Sequence, residues 1–229
     1  HRVSRRQRQM CIRDRNLPYI DGDKTTILQD AIISCEQLHL DFDFVFANTN
    51  TSYEPDKEGR SSGKTGSDIE RILAFNAIGR KDPVTYQDDW DNVLSHALSI
   101  EAEYMDKIYR EKLTEMQYQV TRNGATERAF TGFYDKHFVK GNYHCVCCNH
   151  KLFSSRGKYN SGCGWPAFHT EHRTAEILRV ADYSHGMVRI EVKCSKCDAH
   201  LGHVFEDGPR EHGGERYCIN SAALTFKEE

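Results

Sequence analysis

Several features are scarce in this chain. No stretch approaches the roughly 18 consecutive apolar residues that a bilayer-spanning helix needs, so no membrane-embedded segment is expected. No leader of the basic, apolar and small-residue kind is visible, and without a sign of export the expected setting is an intracellular compartment that keeps thiols reduced. An excess of one charge is missing too. The net charge is −3, with 15 Lys/Arg against 14 Asp/Glu in residues 114–229 and 16 against 20 in residues 1–113. Neither half has the basic surplus of a nucleic-acid partner. Cysteine is thin at first, with two of the nine before residue 114 and seven after it.

What is present fits a folded chain: 38% hydrophobic and 28% charged residues, over 229 positions, allow one large domain or a domain with an appendage. The first fifteen residues hold six arginines and one aspartate. A targeting-peptide reading exists, but QRQMCIRDR resembles translated adapter sequence, so 1–15 is expected to be a non-native leader.

Ile27, Leu28, Ala31, Ile32, Cys35 and Leu38 recur at helical spacing and predict an amphipathic helix. FDFVFA at 42–47 is short and aromatic, which predicts a strand. Residues 48–67, rich in Gly, Ser, Thr and Asn, read as a flexible loop. GRSSGKT within it resembles a phosphate-binding loop. However, only three residues separate Gly59 from Gly63 where four are required, and Glu58 stands at the required first glycine. Ser67 with Glu70 predicts a capping box for a helix closed by Gly79. A stripe of Trp90, Val93, Leu94, Ala97, Leu98, Met105, Ile108 and Tyr109 predicts a longer helix over 88–112, a core stripe rather than a cofactor box. His96 beside it reads as a surface or core residue. Residues 16–112 thus form a mostly helical, unassigned segment.

Thr114 and Gln117 predict another cap, for a short helix stopping near Gly124. Beyond it the texture is β: Val188, Ile190 and Val192 alternate with Arg189, Glu191 and Lys193 and lead into Cys194. Short strands separated by Gly, Asn and Asp predict antiparallel sheets.

Two CxxC pairs, Cys145/Cys148 and Cys194/Cys197, can each place two thiolates on one side of a tight knuckle, and together they can close a four-sulfur zinc site. Asn149 and Asp198 follow the knuckles, where a left-handed backbone is common and both residue types tolerate it. The alternative is a pair of disulfides in an exported protein. Four thiolates would leave zinc no open position, so such an ion would be structural. Cys147 lies inside the first pair and reads as a spare thiol.

Strand-like alternation puts Arg216, Cys218 and Asn220 on one face, so a guanidinium would favour the Cys218 thiolate. A buried structural cysteine is the competing reading. His200 and His203 in HLGHVF can move protons near neutral pH, or could ligate metal. Trp165, between glycine and proline in SGCGWPAF, could wall an apolar pocket or simply pack.

Taken together, GNYHCVCC, SGCGWPAF, KCSKCDAHLGHVFEDGP and ERYCINSAALTF resemble the B-type methionine sulfoxide reductases, which reduce the R epimer of methionine sulfoxide. The resemblance runs from Leu113 to the end of the chain, through GATERAFTG, with four motifs in the family's order. It implies a mainly β domain of two antiparallel sheets over 113–229. It also implies Cys218 as nucleophile, Cys163 as resolving cysteine, and Cys145, Cys148, Cys194 and Cys197 as zinc ligands. Trp165, His200, His203, Phe205, Arg216 and Asn220 match positions lining the family's active site. Oxidised methionine, free or in proteins, and a thioredoxin-like dithiol are the implied partners. Ala167 stands where the family has a hydroxyl residue and Asn149 where it has glycine, and neither is expected to touch a catalytic position. A zinc-ribbon binding module and a general thiol oxidoreductase are the rival classes. The first would not need Cys163 or Cys218, and the second would place its reactive pair within one CxxC.

Overall fold

The computed structural model describes residues 23–52 and 54–229, and the expected leader at 1–15 lies outside them. The chain divides into two compact units, the first ending at Met105 and the second running Asp106–Glu229.

The first unit is helical: α1 (Lys24–Leu38), α2 (Phe42–Ala47), α3 (Gly66–Ala77) and the beginning of α4 (Trp90–Lys112). Asp23 caps α1 by accepting the Thr26 N–H at 2.8 Å. Leu28 and Cys35 from the expected amphipathic face are buried with Phe42, Ala74 and Phe75.

FDFVFA is α2, not the expected strand. Asp41 accepts the Phe44 N–H at 2.6 Å as an N-cap, and Phe42 meets Phe46 four residues on, ring centroids 4.5 Å apart. Apolar residues at i and i+4 suit a helix as well as a strand, and the capping aspartate decides between them. The cap of α3 also differs from expectation. Thr65 accepts the Asp68 N–H, whereas the Ser67 hydroxyl donates to the Thr51 carbonyl at 2.8 Å. Gly79 adopts the positive φ expected of the residue that closes this helix.

A buried ion pair pins the loops between these helices. Arg71 donates through Nε and Nη2 to the two oxygens of Asp82, at 2.6 and 2.9 Å. Its other bonds go to the Thr49 hydroxyl and the Phe46 carbonyl. Tyr86 donates to Asp82 at 2.7 Å, and burial, reinforced by the Asp82 charge, holds its phenol neutral. The Asp82 side chain has no exposed surface. Removing one partner strands the other charge. Asp82→Ala should therefore lower the stability of the helical unit by about 3–5 kcal/mol, read as the helical part of a urea transition. Arg71→Met with Asp82→Leu should cost less. A loss below about 0.5 kcal/mol for Asp82→Ala, typical of surface changes, would show that the pair does not matter.

The second unit opens with the last turns of α4 and with α5 (Glu115–Asn123). The Thr114/Gln117 capping box is present, and Gly124 closes α5 at φ 67°. Two antiparallel sheets follow. The smaller has order β2 (Lys151–Ser154), β1 (Gly141–Cys145), β9 (Leu224–Glu228). The larger runs β3 (Lys158–Tyr159), β4 (Ala167–Phe168), β8 (Arg216–Ile219), β7 (His200–Phe205), β6 (Arg189–Cys194), β5 (Ile177–Asp182). Aromatics join the sheets: Phe153 stacks on Phe168 at 4.4 Å, and Tyr143 meets Phe168 edge-on at 5.1 Å. Along β6 only Val192 of the expected apolar face is buried, and Val188 and Ile190 are exposed. They lie toward the turn of the β5–β6 hairpin; β5 forms the edge of the sheet, and its Leu178 and Val180 also face solvent. Among the described residues no helix is long and apolar enough to cross a membrane.

Candidate active site and metal centre

Two knuckles of matching design bring four thiols together. Asn149 and Asp198 have φ of 62° and 57°, as expected. Their N–H groups donate to the Cys145 and Cys194 carbonyls at 2.8 and 2.9 Å. The Sγ atoms of Cys145, Cys148, Cys194 and Cys197 lie within 4.8 Å of one another, with Cys145–Cys197 and Cys148–Cys194 at 3.6 Å. A tetrahedral ion with metal–sulfur bonds of about 2.3 Å would separate its sulfurs by about 3.8 Å. The cluster has the size to hold a metal ion. Cys147 is buried outside this set.

Cys218 sits in β8 with Arg216 on the same half-exposed face, while Tyr217 and Ile219 are buried, matching the expected alternation. Cys163 reaches it from the loop before β4, with the two sulfurs 3.6 Å apart. That loop passes under Phe130, whose N–H donates to the Gly164 carbonyl at 2.7 Å. Gly164 has φ 91°, and a Cβ there would meet Phe130 N at 2.8 Å. Ala167 is the register partner of Cys218 across β4 and β8. This corrects the expectation that its departure from the family pattern lies clear of the positions expected to react. Lacking a hydroxyl, it offers Cys218 no side-chain hydrogen bond.

A cavity of about 110 Å³ opens over Cys218, walled by Trp165, His203, Phe205 and Asn220. Thr126, Arg189 and Gly202 complete it. Gly202, φ 156°, lets β7 press against the Cys218 backbone, because a Cβ would collide with the Cys218 carbonyl. His203 is the direct cross-strand partner of Cys218. His200 and Arg216 do not line this cavity. His200 is buried behind His203, ring centroids 5.5 Å apart, with Nδ1 2.6 Å from Glu191 Oε1. Arg216 lies over the Phe205 ring at 4.6 Å and grips Asp207 with two bonds of 2.8 Å.

Burial pushes the Cys218 thiol up to about 12, with the nearby Cys163 adding to the rise and Arg216 opposing it. Desolvation thus outweighs the guanidinium that the sequence pattern predicted would govern this thiol. Burial is the largest influence on the Cys163 thiol and works against its thiolate, but the Ser161 hydroxyl, donating at 3.0 Å, together with the Trp165 backbone, the Cys218 thiol and the Arg216 charge more than offsets it, and the pKa of Cys163 falls below the usual thiol value. Burial also lowers His203, against the pull of Asp182, whose Oδ2 lies 2.8 Å from Nε2. Asp182 is held well below the usual carboxylate range, first by hydrogen bonds from Ser184 and then by His203.

The spacing pattern did not reveal Asp182, Glu191 and Asp207, the carboxylates behind His203, His200 and Arg216. Asp182 stands 21 residues from its histidine, and no local motif joins them. The alkylation rate of Cys218 should keep rising with pH beyond 9, since its thiolate is scarce below that. Cys163→Ser removes a neighbouring negative charge and should move this profile to lower pH. Arg216→Ala should move it higher. Iodoacetamide labelling followed by mass spectrometry reads the shifts, and the reverse order would refute this account of the thiol.

Residues 113–228 match the family model described as the SelR domain. The peptide methionine sulfoxide reductase MsrB of Methylibium petroleiphilum is 60% identical over 119 residues, covering 52% of this chain and 86% of that protein. Proteins of the same name from Burkholderia cenocepacia and Burkholderia thailandensis are 57% and 56% identical over 122 residues, covering 53% of this chain and 85% of each relative. With this match falling on the two knuckles, the paired thiols and the histidine strand, the chain belongs to the B-type methionine sulfoxide reductase family.

Proposed function

We propose that the second unit reduces methionine-R-sulfoxide, free or in proteins, to methionine, with Cys218 as nucleophile and Cys163 as resolving thiol. The observation that carries this reading is the 3.6 Å pair of sulfurs beneath a small cavity lined by Trp165, His203 and Asn220. Cys218 attacks the sulfoxide sulfur as the sulfur–oxygen bond breaks. Oxygen passes to Cys218, methionine leaves, and the product is a sulfenic acid. The step is proton-neutral, because the thiol supplies the hydrogen that the new S–OH retains.

His203 is suited to relay that hydrogen. Its Nε2–H is engaged by ionised Asp182, so Nδ1 is left to exchange a proton between thiol and oxygen. Burial keeps the ring neutral, the form that can accept a proton from a thiol held at about 12. Trp165 holds the S-methyl group against the apolar wall, and the chirality of sulfur then decides which epimer turns its oxygen toward His203 and Asn220. Cys163 next condenses with the sulfenic acid, forming the Cys163–Cys218 disulfide and releasing water. An external dithiol of the thioredoxin kind returns both thiols, giving up two electrons and two protons.

The tetracysteine cluster fits zinc by its donor set and its sulfur spacing. The ion would be held by Cys145, Cys148, Cys194 and Cys197 and would tie the chain together without entering the reaction. Separate R and S epimers, supplied with a dithiol, test the whole reading. The R epimer alone should yield methionine. Cys218→Ser should abolish even the first turnover, and Cys163→Ser should give one methionine per protein and then stop cycling with thioredoxin. Normal steady-state turnover by Cys218→Ser would refute the nucleophile assignment. Elemental analysis should find about one zinc per chain, lost in Cys145→Ser and kept in Cys147→Ser, with a lowered melting temperature in the former only.

A further inference from the structure

Glu127 touches the site from three directions. Its backbone N–H donates to Asn220 Oδ1 at 3.1 Å, and its carbonyl accepts the Trp165 indole N–H at 3.1 Å. Its carboxylate accepts the Ser221 and Ala222 N–H groups at 2.5 and 2.9 Å. Those two donors open the short 3-10 turn Ser221–Ala223 that follows the cysteine strand, and intrahelical bonds cannot satisfy them. Glu127 is itself buried, 6% exposed.

We infer that Glu127 is a positioning residue that sets the substrate pocket of the reductase by fixing Trp165 and Asn220 together. The inference rests on the function proposed above and names a residue which that scheme does not use. The carboxylate anchors the Glu127 backbone to the turn, and the backbone in turn holds the two cavity walls.

The Asn220 amide shows what this achieves. Oδ1 is occupied by Glu127 N–H, and one Nδ2 hydrogen goes to the Leu201 carbonyl at 3.1 Å. A flipped amide would set an NH₂ group against the Glu127 N–H and an oxygen against the Leu201 oxygen. Neither contact could form a hydrogen bond. The orientation is therefore fixed, with one Nδ2 hydrogen left over on a residue that lines the cavity, where a sulfoxide oxygen needs a donor. On the opposite wall the indole plane is set through the same backbone unit. A shift of Glu127 would move the methyl wall and the oxygen donor at once, leaving Cys218 on its strand.

Gln can accept through only one of its two terminal atoms, and its NH₂ would face a second N–H. Glu127→Gln should thus loosen the anchor without emptying the space, and Glu127→Ala should release it. In Glu127→Gln, hydrogen exchange of the Trp165 indole N–H, resolved from Trp90 by NMR, should accelerate by about tenfold or more. KM for methionine-R-sulfoxide should rise about tenfold with kcat changed by less than about twofold. The iodoacetamide labelling rate of Cys218 should stay at the wild-type value. Glu127→Ala should exceed Glu127→Gln in both exchange and KM; if it fails to fold, Glu127→Gln alone decides.

Unchanged indole exchange in folded Glu127→Gln would overturn the inference. So would an activity loss shared equally by kcat, Cys218 labelling and melting temperature, the mark of a merely structural residue. The exchange measurement needs no substrate. A wild type that left the R epimer unreduced would defeat the proposed activity, while the indole readout would still judge Glu127.

Discussion

The meeting of four sulfurs constrains the whole second unit. Cys145 ends β1 in the smaller sheet, Cys194 ends β6 in the larger, and each knuckle turns the chain immediately afterwards. Thiolates this close repel one another unless a cation neutralises them, so a metal held there would couple its binding to the meeting of the two sheets. The second knuckle leads within three residues to His200 and the strand carrying His203. The ligand cluster therefore sets where β7 begins, β7 sets where His203 faces Cys218, and Gly202 sets how closely the two strands approach. Small displacements at the sulfur cluster would reach the surroundings of Cys218 along one strand.

The paired thiols and their surroundings show burial and charge in competition. Arg216 stands on the correct face to favour a thiolate, yet much of its charge is committed to Asp207, and the loss of water around Cys218 prevails. Cys163, aided by the Ser161 hydroxyl, is the more acidic partner before substrate arrives. Held as a thiol, Cys218 resists adventitious oxidation, since oxidants react with thiolates.

Much of this was legible because it is local. CxxC spacing, the left-handed residues after the knuckles, the Thr114/Gln117 box and the alternation through Arg216–Ile219 are each settled within a few residues, and the structure has all of them. What escaped is long-range. Asp182 with His203, Glu127 with Ser221 and Arg71 with Asp82 are joined across 21, 94 and 11 positions, and no periodicity marks such partners. FDFVFA satisfies the strand and the helix periodicity alike over its six residues, and only the Asp41 cap discriminates between them. The acidity of Cys218 could not be read either: residue type supplies the neighbouring charge, but desolvation exists only after folding.

Among the described residues the larger sheet ends in β5, with one row of backbone donors and acceptors unmatched by another strand and with Leu178 and Val180 turned to water. Such a border can recruit a foreign strand and seed aggregates. Arg179 stands between the two apolar residues, fastened to Glu215 by a double contact. Its guanidinium acts as a gatekeeper, making the border costly to cover. The charge that guards this border lies well outside the cavity over Cys218.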